Sequence, residues 1–280
     1  MKFAVISDIH GNIVALRAAL AEMERERADR LLVLGDLFGP GHVQDILAEL
    51  RGREALVIRG NGEGYLLEND GDTWERYDQF AAIAAVSRAL TPEDMRWIAA
   101  LPEQMALIYP GIALRMMHGS PRASNENLLG GKPAALRRAL RMTSESILLC
   151  GHSHRAMLKQ RGGRTICNAG SVGENFVGAN PAGENIAREN TGPAFTADVT
   201  FITYAGGEIA FDQRRVPYDF AAWQRVAGDL IYTRLSLRGA RQGRNLFREF
   251  LNEAARRGGW PVPNEVWNGL FAEWEEGGLV

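Results

Sequence analysis

The sequence predicts an α/β fold, on three observations. Its first sixty residues alternate short unbroken apolar runs with amphipathic stretches. Polar residues of the kind that bind ligands stand directly after those runs, where open α/β sheets collect their sites. In the second half, glycine turns separate hairpin-like segments instead.

Phe3 to Ile6 is a continuous apolar run, as a strand covered on both faces requires. A helix is expected from about Asn12 to Arg27, with Ile13, Leu16, Leu20 and Met23 on its inner stripe. Leu31 to Leu34 reads as the second strand, Val43 to Leu50 as a short helix and Ala55 to Ile58 as the third strand. Residues 63–101 read as helical. Within them Thr91-Pro92-Glu93-Asp94 marks a helix start, with a Thr N-cap, Pro at the first helical position and acids in the first turn. Strands are expected near 104–109, 112–117 and 146–150, with a helix near 133–141. Hairpin patterns cover 155–167 and 198–212, turning at Gly162-Gly163 and Gly206-Gly207, so a second, largely antiparallel sheet is expected after the parallel one. Between the hairpins, Gly170 to Ala197 is a Gly/Asn/Pro-rich connection, read either as a substrate-covering lid or as plain disorder.

Past residue 217 the pattern becomes helical. Phe220, Trp223, Val226 and Leu230 recur at helical spacing, then Phe247, Phe250, Leu251 and Ala254, then Val266, Leu270 and Trp274. Four of the six Trp lie here, suited to packing these helices onto the domain or, alternatively, to a dimer contact. The expected plan is a domain over 1–217 and a C-terminal helical extension over 218–280 packed on it.

Lys plus Arg number 32 against 34 Asp plus Glu, a net charge of -2 that leaves no electrostatic footprint for nucleic acid. Arg137, Arg138 and Arg141 share one expected helix, where a solvated face is a better account than a basic patch. Cys150 and Cys167 close expected strands and read as inert core thiols, although Cys150 directly precedes Gly151-His152. Phe3 to Ile6 is too short for the apolar core of a signal peptide, and no apolar stretch approaches the roughly 20 residues that span a bilayer. The expectation is a cytoplasmic protein with no membrane partner.

Chemistry concentrates at five points: Asp8-Ile9-His10, Gly35-Asp36, Gly60-Asn61, His118-Gly119 and Gly151-His152-Ser153-His154. They use four of the five histidines. Asp8/His10 and His152/His154 are i,i+2 pairs at strand ends, a spacing that aims two side chains the same way. Singly, each residue has a bland account: Asp8 as a helix cap, Asn61 as a turn residue, His118 as a core histidine. Their repeated placement after apolar runs points instead to one metal site. Carboxylate, imidazole and amide oxygen together suit manganese, iron, zinc or nickel, manganese foremost, over calcium or magnesium. Asp36 is placed to bridge two such ions about 3.5–4 Å apart.

In this order the five points resemble the calcineurin-like metallophosphoesterases, over roughly residues 1–217. Cys167-Asn168-Ala169-Gly170-Ser171-Val172-Gly173 is further similar to their small bacterial and archaeal phosphodiesterase branch. The resemblance implies a four-layer αββα sandwich of two mixed sheets flanked by helices. It also implies a dinuclear centre, with Asp8, His10, Asp36 and His154 on one ion and Asp36, Asn61, His118 and His152 on the other. The expected function is metal-dependent phosphoester hydrolysis, with a metal-bridged hydroxide attacking phosphorus in line. A small phosphodiester is the favoured substrate, and Asn61 both ligates and orients the ester oxygen. A phosphomonoesterase and a catalytically silent scaffold of the same fold are the alternatives. Many family members carry a histidine after the Gly-Asn pair; here Gly62 and then Glu63 follow. His42, after Gly39-Pro40-Gly41, is the candidate to take over leaving-group protonation, against a surface histidine. Phe38 and Phe176 are expected at the mouth of the site, and the C-terminal helices offer a route to a homo-oligomer.

Overall fold

The structure is a computed structural model that describes residues 1–68, 71–128, 133–174, 195–227, 229–242 and 246–279. Its first part builds β1 (Lys2–Ile6), α1 (Ile13–Arg25), β2 (Arg30–Val33), α2 (Val43–Gly52) and β3 (Leu56–Val57). The segment expected as helical breaks into α3 (Asn61–Leu67), α4 (Gly71–Arg76), a 3₁₀ turn (Asp78–Phe80), α5 (Ala81–Ala89) and α6 (Pro92–Ala100). Thr91 caps α6 as its sequence implies: its Oγ1 accepts from the Asp94 N–H, and the Asp94 carboxylate accepts from the Thr91 N–H. Next come β4 (Gln104–Tyr109), β5 (Ile112–Met117), α7 (Pro133–Arg141), β6 (Ile147–Cys150), β7 (Met157–Arg161), β8 (Arg164–Asn168), β9 (Thr196–Ala205) and β10 (Glu208–Pro217).

Two five-stranded sheets result, ordered β10-β9-β1-β2-β3 and β4-β5-β6-β8-β7. Both are mixed. This corrects the expectation of a parallel sheet followed by an antiparallel one. The β9–β10 hairpin joins the first sheet, where β9 runs antiparallel to β1 with Phe3 opposite Ile202. Hairpin periodicity identifies the two strands but not their sheet, because the free edge of β1 that recruits β9 lies some two hundred residues away in sequence.

Strand alternation distributes the core into layers. Ala4, Ile6, Leu31 and Val33 face Ile13, Leu16 and Leu20 of α1, while Phe3, Val5 and Leu32 face Leu114, Met116 and Leu149 of the second sheet. Leu148 and Ile166 turn the other way, onto Leu136 and Ala139 of α7. Helix, sheet, sheet and helix thus form the four layers of an αββα sandwich.

The extension comprises α8 (Phe220–Val226), α9 (Ile231–Gln242), α10 (Leu246–Gly258) and α11 (Asn264–Glu276). Leu235, Phe250, Trp267, Leu270 and Phe271 give it a core of its own. It touches the first part through the stacked rings of Phe195 and Phe220, through Asn268 on Asp78, and through the Val262 N–H on Gln79. Two expected inner-face residues fail: Val226 is exposed and Leu230 falls between helices. Phe38 is partly buried and packs against two core clusters, which include Leu16 of α1 and Val43 of α2, and Phe176 with most of the 170–197 connection lies outside the described residues. No helix among the described residues is long and apolar enough to cross a membrane.

Candidate metal centre

The seven ligand candidates stand just past the ends of β1, β2, β3, β5 and β6. The i,i+2 argument from strand geometry does not describe how they are aimed. Asp8 and His10 follow β1, His152 and His154 follow β6, and all four, with Asp36, have left-handed backbones at φ 46 to 63. Alternation has already ended, so turns do the aiming. Asp and His tolerate this region better than most residues, yet each still costs about 1 kcal/mol or more, the kind of strain that collects at functional sites.

Backbone crowding holds the turns together. A Cβ on Gly35 would meet the Gly60 nitrogen at 2.2 Å, and one on Gly151 would meet Ser7 Oγ at 2.0 Å. The Cys167–Gly173 segment acts as a clamp: the Asn168 side-chain amide donates to the Gly151 carbonyl at 2.6 Å. Ser171 Oγ and the Gly173 N–H both donate to the Asp8 carbonyl.

The side chains converge in two contiguous groups, Asp8/His10/His154 and Asp36/His118/His152. In the first, His10 Nε2 lies 3.1 Å from His154 Nε2, and Asp8 Oδ1 lies 3.7 and 3.2 Å from those two nitrogens. A triangle with these edges has its corners about 2 Å from its centre, the distance at which imidazole and carboxylate bind a transition-metal ion. Asp36 Oδ2 reaches into both groups, 3.2 Å from His118 Nε2 and 3.9 Å from His10 Nε2. Its other oxygen accepts the Gly62 N–H at 2.7 Å.

The polar inventory shows what these groups lack. Asp8 Oδ1, Asn61 Oδ1 and His118 Nε2 are buried with no hydrogen-bond partner among the described residues. Buried polar atoms are rarely left this way. His118 Nδ1 sits 2.7 Å from the Leu34 carbonyl, the arrangement that puts the proton on Nδ1 and turns the Nε2 lone pair inward. The donor set therefore fits divalent ions.

Charge agrees with geometry. Burial pulls the His118 imidazole down, but Asp36 and Asp8 beside it push it up to about 9. Burial likewise opposes ionisation of Asp36, and the His118 charge outweighs it, holding that carboxyl at about 2. His152 goes the other way, lowered to about 4 by burial and by the His118 charge. Two buried carboxylates therefore draw positive charge toward this point, a demand that a cation can meet in place of a proton on His118.

The model of the calcineurin-like phosphoesterase superfamily domain matches residues 1–186. The chain belongs to this superfamily. An uncharacterised protein of Methanocaldococcus jannaschii, MJ0912, is 29% identical over 121 residues, 42% of this chain and 49% of the relative, so the match spans about half that protein's length. A metallophosphoesterase crystal structure from Sphaerobacter thermophilus superimposes with a TM-score of 0.63 at 22% identity, covering 86% of this chain and all of that one. The hypothetical protein PH1004 of Pyrococcus horikoshii gives 0.63 at 18% identity, over 80% of this chain and 91% of its own. These two likenesses show the fold.

In this calcineurin-like chain, two further carboxylates serve the centre. Glu63 is fully buried and accepts the N–H groups of Asp36 (2.9 Å), Leu37 (2.8 Å) and Gly60 (2.8 Å), tying the Asp36 turn to the Asn61 helix. An acid three residues after Gly60 at a helix start is the legible signal for it. Glu174 lies 3.6 Å from His154 Nδ1 and accepts from Tyr232 Oη and from Ser236 Oγ of α9. No sequence signal ties it to α9.

His42 belongs to neither ligand group. It precedes α2 in a left-handed conformation, with Nδ1 2.8 Å from Asp45 Oδ2 of the same helix. Its side chain is half-buried, and its Nε2 is left for other contacts. The two cysteines are buried and free, and burial pushes the Cys167 thiol up to about 12, in keeping with core roles.

Proposed function

We propose that the chain is a metal-dependent phosphoesterase that prefers phosphodiesters. The observation that carries this is the convergence of Asp8, His10 and His154 beside Asp36, His118 and His152, with orphaned donor atoms turned inward. Asp8, His10, Asp36 and His154 would hold one divalent ion, and Asp36, Asn61, His118 and His152 the other, with Asp36 shared. Such ions, manganese foremost, supply Lewis acidity and a nucleophile from water at neutral pH. The chain's own part is orientation. Leu34 fixes the His118 tautomer, Gly62 fixes the Asp36 rotamer, and the His152 N–H donating to Asp8 Oδ2 at 3.0 Å turns Asp8 Oδ1 toward the centre. Asn61, at the start of α3, presents an amide that can both ligate and hold an ester oxygen.

Preference for a diester is supported by the cleft beside His10. Among the described residues it is lined by Glu174 and by no Lys or Arg, so the dianion of a monoester finds no cation there beyond the ions themselves. The test compares 4-nitrophenyl phosphate with bis(4-nitrophenyl) phosphate on manganese-loaded protein. Faster turnover of the diester is expected. Equal or faster turnover of the monoester removes the preference, and no turnover of either removes the activity.

A further inference from the structure

We infer that Glu174 is a positioning residue for the first ion, and that the C-terminal extension acts on the metal centre through it, by way of Tyr232 and Ser236. The inference rests on the metal-centre reading of the proposed function. It carries that reading to two residues beyond the matched 1–186 segment.

The His154 ring faces two ways. Its Nε2 stands 3.2 Å from Asp8 Oδ1, among the ligand atoms of the first group, while its Nδ1 faces Glu174 Oε2 at 3.6 Å. A carboxylate behind a ligating imidazole keeps the proton on the far nitrogen, fixes the ring and makes the near nitrogen a better ligand. At 3.6 Å the pair is at ion-pair range, not at the length of a closed hydrogen bond. The placement of Glu174 therefore decides how firmly His154 is aimed.

Glu174 is held from two sides. Its N–H donates to Ser171 Oγ at 2.8 Å, and that hydroxyl donates to the Asp8 carbonyl at 2.8 Å, so its backbone is tied to the first ligand turn. Its Oε1 accepts from Tyr232 Oη and, at 3.2 Å, from Ser236 Oγ. Those two residues lie four apart on α9 and share a face. The Tyr232 ring packs edge-on against Phe247 of α10 at 4.7 Å between centroids, and Phe247 in turn meets Trp267 in the extension's own core. Two donors on Oε1 leave Oε2 turned to His154. They also draw some charge out of the carboxylate, but ordering a side chain with three free torsions is the larger effect. The resulting coupling is reciprocal: whatever the extension adds to metal affinity, the ion returns to the docking of α9.

The test is manganese titration of the metal-free protein, which needs no turnover. Glu174→Ala should weaken one of the two manganese sites about ten- to a hundredfold, and Glu174→Gln should recover part of the loss. Tyr232→Phe keeps the ring against Phe247 and removes only the hydroxyl; it should weaken the same site about fivefold. In a Glu174→Ala background Tyr232→Phe should add nothing, whereas a general loosening of the extension would add its full effect. Conversely, saturating manganese should slow amide hydrogen exchange along α9 in the wild type, and less so in Tyr232→Phe. Wild-type or tighter manganese binding in Glu174→Ala or in Tyr232→Phe overturns the inference, as does an undiminished Tyr232→Phe effect in the double variant. In those outcomes the wild type still binds its ions and the metal reading stands. A wild type that binds no manganese removes that reading and this inference together.

Discussion

Glu63→Ala probes how the centre is held together. The wild-type carboxylate accepts three buried backbone N–H groups, from Asp36, Leu37 and Gly60. Each donor left unpaired costs about 1–3 kcal/mol. Burial pushes the Glu63 carboxyl up and the neighbouring Asp36 charge adds to this, so removing the charge returns part of the loss. The net cost should be about 3–6 kcal/mol, large against a total stability on the order of 10 kcal/mol. In a chain of this size that lowers Tm by roughly 10 °C. Glu63→Gln should fall between, because its amide oxygen can keep two donors while its NH2 opposes the third, at about 1–3 kcal/mol. The same change loosens Asp36 from Asn61, so manganese affinity should drop about ten- to a hundredfold. Thermal unfolding of the metal-free protein and manganese titration read the two effects separately. Wild-type Tm and wild-type affinity in Glu63→Ala would refute the idea that this carboxylate joins the two ligand turns.

Asp36→Ala or His118→Ala should abolish hydrolysis of bis(4-nitrophenyl) phosphate with circular dichroism unchanged; wild-type rates in both would contradict the ligand assignment. Asp94 is buried, and although burial raises its pKa, hydrogen bonds from Gln44 and Thr91 hold it well below the usual carboxylate range. A depressed folded-state pKa contributes stability that is complete above the unfolded value of 3.8, shrinks gradually below it, and is lost only as pH falls through the much lower folded value. Asp94→Asn should therefore cost about 1–2 kcal/mol at pH 7 and most of that still at pH 3, read by urea unfolding; a cost that vanishes by pH 3 would contradict the depressed carboxyl. His42→Ala tests the proton-donor role: loss of one limb of the pH–rate profile is the expected outcome of that role, and an unchanged profile and rate would remove it.

Much of the centre was legible because its ligands follow apolar runs: Asp8 comes two residues after β1, and Gly151-His152 directly follows β6. What was not legible is conformational or long-range. Nothing in the order Asp8-Ile9-His10 says that both polar residues adopt left-handed backbones, since tertiary contacts impose that conformation. The contacts that Phe38 makes with two core clusters are likewise tertiary and have no signal in its neighbours along the chain. Glu174 gains its role from Tyr232 and Ser236 on a helix some sixty residues on, a pairing that local periodicity cannot encode. The sheet membership of β9 and β10 was hidden for the same reason.

Metal content measured beside turnover tests the central claim most directly. The protein reconstituted with manganese and freed of loosely bound ions should carry two ions per chain and hydrolyse the aryl diester. Asp36→Ala, missing the shared carboxylate, should carry at most one and hydrolyse nothing. A wild type that holds no stoichiometric metal, or an Asp36→Ala protein that keeps two ions and full turnover, would contradict a shared-carboxylate centre.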